Sequence, residues 1–211
     1  MRGLLIASCL IAVPACAVIV DRIAITVGNK VITESEIDLR VRLTAFENGD
    51  KPDFSNASRK TAADRLVDQK IVEREMDVGH YPRLTGDARS LLLDEFTRTN
   101  YKSDAEALDR ALSGYSITVG DLEEDLARQS DLLNFLSLRF RPAVQVSDQD
   151  VRQYFDTKIR PKETGQIALN DFRAQIERQI TSDRADADME AWLRDQRRQT
   201  KIEYLEKDLA P

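Results

Sequence analysis

The chain has 211 residues, with 31 basic and 37 acidic side chains, a formal net charge of −6 and both signs of charge mixed along its length. That balance argues against nucleic acid as a partner, because a binder of phosphates needs a basic face, and the two basic clusters, Lys158 to Lys162 and Arg194 to Lys201, read as solvated surface. Both cysteines, Cys9 and Cys16, lie in the first seventeen residues, so the remainder offers neither a disulfide framework nor thiolate chemistry.

Residues 1–17 read as a secretory signal peptide. Arg2 supplies the positive start, Leu4 to Val13 the apolar core, and Ala15-Cys16-Ala17 a small-residue site with cleavage between Ala17 and Val18. The apolar run is shorter than the about 20 residues that span a bilayer. A second reading takes Val13-Pro14-Ala15-Cys16 as a lipoprotein signal with Cys16 lipidated, giving a peripheral membrane tether. Either way the expected location is the periplasm. Without Arg2 the formal charge becomes −7. The expected mature domain, 18–211, is long enough to hold by its apolar core alone, since a chain of about 190 residues buries about 70% of its surface.

Ile23, Ile25 and Val27 alternate with Arg22, Ala24 and Thr26, which predicts a half-buried strand with those three residues on its apolar face. Gly28-Asn29 supplies a two-residue turn in which both residues tolerate positive φ, and Val31 and Ile32 return alongside. Thr33 and Glu36 make a capping box, with Ile32 stapled to Ile37 across it. The helix so started runs through Val41 and Phe46 to Asn48-Gly49-Asp50 and Pro52.

Ser58 to Val78 is a second helical run, with Ala62, Leu66, Ile71, Val72 and Met76 on one face and an exit at Gly79, His80 and Pro82. His80, the sole histidine, has no Ser, Cys or second His beside it in sequence and reads as a surface group. Thr85 opens a third helix bearing Ala88, Leu91, Leu92 and Phe96, and Ser103 with Glu106 caps a short one closed by Gly114. Thr118 with Asp121 starts a longer helix in which Leu122, Leu126, Leu133, Leu136 and Phe140 keep the period. Ser147 and Asp150 cap another, carrying Val151, Tyr154 and Phe155. A long helix from Leu169 to Gln199 follows, with a polar middle, Thr181 to Ala187, where a break near Ser182-Asp183 is open. Ile202 and Tyr204 then alternate with charged neighbours. A hairpin alone is marginal, so this last strand is expected to join it as a third, bringing the two ends together. The fold class read from these elements is mainly α, a multi-helix domain with a small antiparallel sheet.

The stretch from Asp21 to Asp38, through Ile23, Ala24, Val27, Val31, Ile32, Thr33, Glu36 and Ile37, resembles the opening of the SurA/PrsA-type envelope chaperones, of the trigger-factor and SurA peptide-binding class. The resemblance implies an N-terminal chaperone part, 18–158, and a returning C-terminal helix and strand, 168–205. In that family one or two parvulin-type prolyl isomerase domains sit between the two; here only the short loop 159–167 does, and no isomerase residues carry over. The implied function is that of an ATP-independent holdase for unfolded envelope or outer-membrane proteins, with peptidyl-prolyl isomerase membership and a helical scaffold subunit as alternatives.

No Walker A sequence, Gly-x-Gly-x-x-Gly, HExxH or cysteine pair occurs, so no nucleotide, metal, other cofactor or catalytic residue is expected. Glu123-Glu124-Asp125 and Asp183, Asp186 and Asp188 read as solvated charge. The candidate client-binding residues are Phe46 and Phe54, which flank the first helical break; packing into the core is their ordinary alternative.

Overall fold

The structure is a computed structural model that describes residues 21–162 and 167–210. The expected signal peptide, the Ala17/Val18 cleavage site and Cys16 lie outside the described residues, as do residues 163–166 of the loop 159–167.

The N-terminal hairpin pairs β1 (Ile23–Val27) with β2 (Lys30–Thr33). Gly28 sits at φ +60° while Asn29 does not take a positive φ, so one left-handed residue suffices to reverse the chain. A register shift between Ile23 and Ile25 changes the expected alternation. Ala24 and Ile25 are both buried and Ile23 is left exposed, because the irregularity turns two successive residues away from solvent.

Thr33 caps α1 (Glu34–Asn48) through the capping box with Glu36, and Gly49 closes it at φ +71°. The second helix, α2 (Asn56–Val78), starts two residues before Ser58, because Ser55 serves as its cap and accepts from the Ser58 N–H. For α3 (Asp87–Tyr101) the cap position is Gly86, without a side-chain bond, so Thr85 does not have the expected role. Likewise α4 (Ala105–Ser113) is capped by Asp104, since Ser103 is held at φ +66°. The Thr118–Asp121 and Ser147–Asp150 boxes open α5 (Val119–Arg139) and α6 (Asp148–Tyr154) as expected. A π turn, Phe155–Ile159, and a 3₁₀ turn, Arg160–Lys162, follow α6.

The last helix, α7 (Leu169–Gln199), is continuous, about 46 Å long at 1.5 Å per residue. Its polar middle holds because Ala185 is buried against Phe135 and Phe140, while Arg184 pairs with Asp150 at 2.7 Å. After it, β3 (Ile202–Tyr204) pairs antiparallel with β1, giving the sheet order β2-β1-β3. The ends of the domain therefore meet. The Gly28 N–H donates to the Lys201 carbonyl at 2.9 Å, and the Leu205 N–H to the Ala24 carbonyl at 2.8 Å.

Four apolar clusters hold these elements. The sheet, α1, α2 and the end of α7 enclose Ile25, Ile32, Ile37, Val67 and Leu209. Leu43 of α1 packs with Leu108, Leu112, Ile117 and Leu122 under α3, α4 and α5. Val72 and Met76 meet Phe135, Phe140 and Ala185, and α6 closes on Ile176 and Ile180. The helices α1, α2, α5 and α7 each serve two or more clusters and converge on a gap between them.

Candidate functional site

That gap is an open cleft of about 330 Å³. Along α2, Arg65, Asp68, Gln69, Val72, Glu73 and Met76 recur at three- and four-residue spacing and present one face to it. From α5 come Asp125, Arg128, Gln129, Asp131 and Leu132, from α7 Met189 and Leu193, from α1 Arg40, and from the α2–α3 connection Arg83. The floor is apolar and the rim charged. Met76 and Met189 are the two methionines among the described residues and both line it; an unbranched, polarisable thioether accommodates surfaces of varied shape.

One wall is a buried ion cluster. Asp125 is fully buried and accepts from Arg40, from Arg128 at 3.1 Å and from the Gln129 amide at 2.9 Å. The same Gln129 amide nitrogen donates to Glu47 at 2.7 Å, so α1 and α5 are tied through side chains. Burial alone would push the Asp125 carboxyl up, but the Arg40 guanidinium, helped by Arg128, holds it below the ordinary carboxylate range. Glu47 moves the other way: partial desolvation raises its carboxyl and the Asp125 charge adds to that. The expectation of solvated charge over Glu123-Glu124-Asp125 therefore fails at Asp125, where the helical period turns the carboxylate inward beside Leu122. Asp183, Asp186 and Asp188 are exposed as expected.

Phe46 and Phe54 do not come together, and neither lines the cleft. Phe46 is half-buried among Phe96 and Tyr115, with ring centroids 6.3 and 5.5 Å away, as part of the α1–α3–α4 packing. Phe54, in the α1–α2 connection, is 47% exposed. A shallower groove of about 310 Å³ near it, between α1 and α2, is lined largely by polar side chains such as Thr44, Asn48, Lys51 and Asp53. Leu91 and Leu133, expected on packed faces, are exposed.

Sequence reasoning placed Val72 and Met76 on the apolar face of α2 without assigning them to a site, and missed Leu132 and Met189. For Leu132 a signal lay in α5, where Leu122, Asp125, Gln129, Leu132 and Leu136 follow a three-four spacing: polar groups inside an apolar stripe mark a face that is neither wholly core nor wholly surface. Among the described residues no group of three or more His, Cys, Asp or Glu is placed to hold a metal ion, and no helix is long and apolar enough to cross a membrane. No protein-family model matches the chain, and no curated protein is significantly similar to it.

Proposed function

We propose that the protein is an ATP-independent, exported holdase of the SurA/PrsA type, which acts in the periplasm without catalysis by keeping unfolded envelope or outer-membrane proteins from associating. The observation that carries this reading is the open cleft with an apolar, methionine-lined floor and a charged rim. Precursors of β-barrels expose alternating apolar faces and unpaired strand edges, which aggregate unless another surface covers them. A cleft of this size shelters a few side chains at a time. Release without nucleotide requires weak binding, and a micromolar Kd corresponds to about −8 kcal/mol.

Specificity for shape is low in such a site, because Leu132, Met189 and Leu193 offer contact area without directional bonds, while the rim keeps the complex dispersed. The test is an aggregation-suppression titration with an unfolded outer-membrane barrel protein, using the chain from Val18 onward and no nucleotide. Protection near equimolar ratio, weakened in a Leu132→Gln, Met189→Gln variant that stays folded, is the expected result. Absence of protection at several-fold excess overturns the reading, and clear turnover in a prolyl isomerisation assay overturns its non-catalytic part.

A further inference from the structure

Two carboxylates line the cleft from inside the fold, and only one of them is answered by cations. Asp125 has Arg40 and Arg128. Asp131 is 5% exposed, yet its hydrogen bond among the described residues is a single one, from the Leu84 N–H at 2.8 Å, and no Lys or Arg among them pairs with it. A carboxylate has about four acceptor positions, and the described residues fill one of them, which leaves the others to whatever enters the cleft. No cation of the described fold competes for the Asp131 carboxylate, so one that arrives from outside finds a free acceptor. The cleft is the route by which one can arrive, since Asp131 lines it beside Leu132.

The neighbouring arginines do not repel such a guest as bare charges. Arg40 and Arg128 are matched by Asp125 together with Glu124, which pairs with Arg128 at 3.0 Å, and Arg83 pairs with Asp77 at 2.8 Å. Arg65, which has no carboxylate partner among the described residues, stands eleven residues before Met76 on α2, about 16 Å away along the axis. The two ends of the cleft therefore differ, and the Met76 end is the one with an unmatched negative group.

We infer that the cleft selects unfolded segments in which a lysine or arginine is flanked by apolar side chains, the cation resting on Asp131 and its neighbours on Leu132, Met189 and Leu193. This inference rests on the cleft being the client site. The carboxylate is already stripped of most of its water by the fold, so an arriving ammonium gains a charge-assisted hydrogen bond at little further desolvation of Asp131.

The experiment uses two fluorescein-labelled twelve-residue peptides of alternating Leu and Thr, one with a central lysine and one with glutamine in its place, titrated by fluorescence anisotropy. The lysine peptide should bind about tenfold more tightly, the scale of one charge-assisted bond. Asp131→Asn retains an oxygen for the Leu84 N–H and should shrink that preference to within about twofold. In the wild-type chain, zero-length carbodiimide coupling should join the peptide lysine to Asp131, which gives a readout independent of any variant. A preference that survives Asp131→Asn, or coupling that maps to other carboxylates, overturns the inference. If both peptides bind equally and both are weakened by Leu132→Gln, Met189→Gln, the cation role falls and the client cleft stands. If neither peptide binds, or that double variant changes nothing, both fall.

Discussion

The sheet end of the domain and the central cleft share α1, α2 and α7, with α5 added at the cleft, and finish differently. At the sheet end, α1, α2 and the end of α7 close on a dry cluster in which Ile25, Ile32, Ile37 and Leu209 are almost fully covered. At the cleft, further along α2 and α7, Met189 and Leu193 keep part of their surface open, Leu132 is 38% exposed, and charged groups crowd the rim. The first arrangement fixes where the chain ends are. The second leaves a site whose contacts are incomplete, which is what a transient binding surface needs.

The comparison breaks most severely if the sheet end is opened. Deleting residues 200–211 removes β3, the Lys201 carbonyl that Gly28 bonds and the buried Leu209; the chain should lose cooperative unfolding in a denaturant titration. Leu209→Ala alone should destabilise by about 3 kcal/mol, as large-to-small changes in packed cores do. Equal stability after the deletion would mean that the ends do not clasp the domain.

At the cleft wall, Asp125→Ala leaves Arg40, itself largely buried, without its partner, and should reduce stability by about 3 kcal/mol. The loss falls on the link between α1 and α5, so hydrogen exchange should rise there and not in the sheet. Phe46→Ala and Phe54→Ala sharpen the contrast on a smaller scale. The first removes a ring from the Phe96 and Tyr115 contacts and should reduce stability by about 2 kcal/mol, while the second, in an exposed connection, should change it by less than about 0.5 kcal/mol.

Acid should affect the two carboxyls of the α1–α5 link with opposite signs. Asp125 titrates lower in the folded chain than in the unfolded one, so its stabilisation is present above the unfolded value of about 3.9 and is lost as pH falls through the lower folded value. Glu47 titrates higher when folded, so it opposes folding at neutral pH, and the opposition fades as pH falls through that raised value. Glu47→Gln should therefore raise Tm at pH 7 and make less difference near pH 4. A lower Tm at pH 7 would show that the Glu47 charge is favourable where it stands.

Much of the sheet end was legible in the sequence because its signals are local and concordant: a Gly-Asn turn, a Thr33–Glu36 box, a Gly stop and a strand near each end of the domain, although the register shift at Ile23 and Ala24 was not. The Thr118 and Ser147 boxes were legible for the same reason, whereas the Leu169–Gln199 helix was legible in its bounds but not in its continuity past Ser182-Asp183, which the contacts of Arg184 and Ala185 decide. The misplaced caps at Thr85 and Ser103 show the limit of that reasoning, since neighbouring polar residues compete for one position and backbone geometry decides between them. The cleft was not legible. Asp125 and Asp131 look like ordinary helix carboxylates until Arg40, eighty-five residues before Asp125, and Leu84 are brought beside them. Aromatic residues next to a loop drew attention to Phe46 and Phe54, whereas the open apolar surface lies on helix interiors, where composition does not separate a half-open face from a core.

The most direct measurement places a photo-crosslinking amino acid at position 132, in the cleft, and in a separate chain at position 133, which is exposed on the same helix but outside it. Illumination with an unfolded barrel protein should give adducts from position 132 and few from position 133. Equal yields, or a higher yield from 133, would contradict the cleft as the place where clients are held.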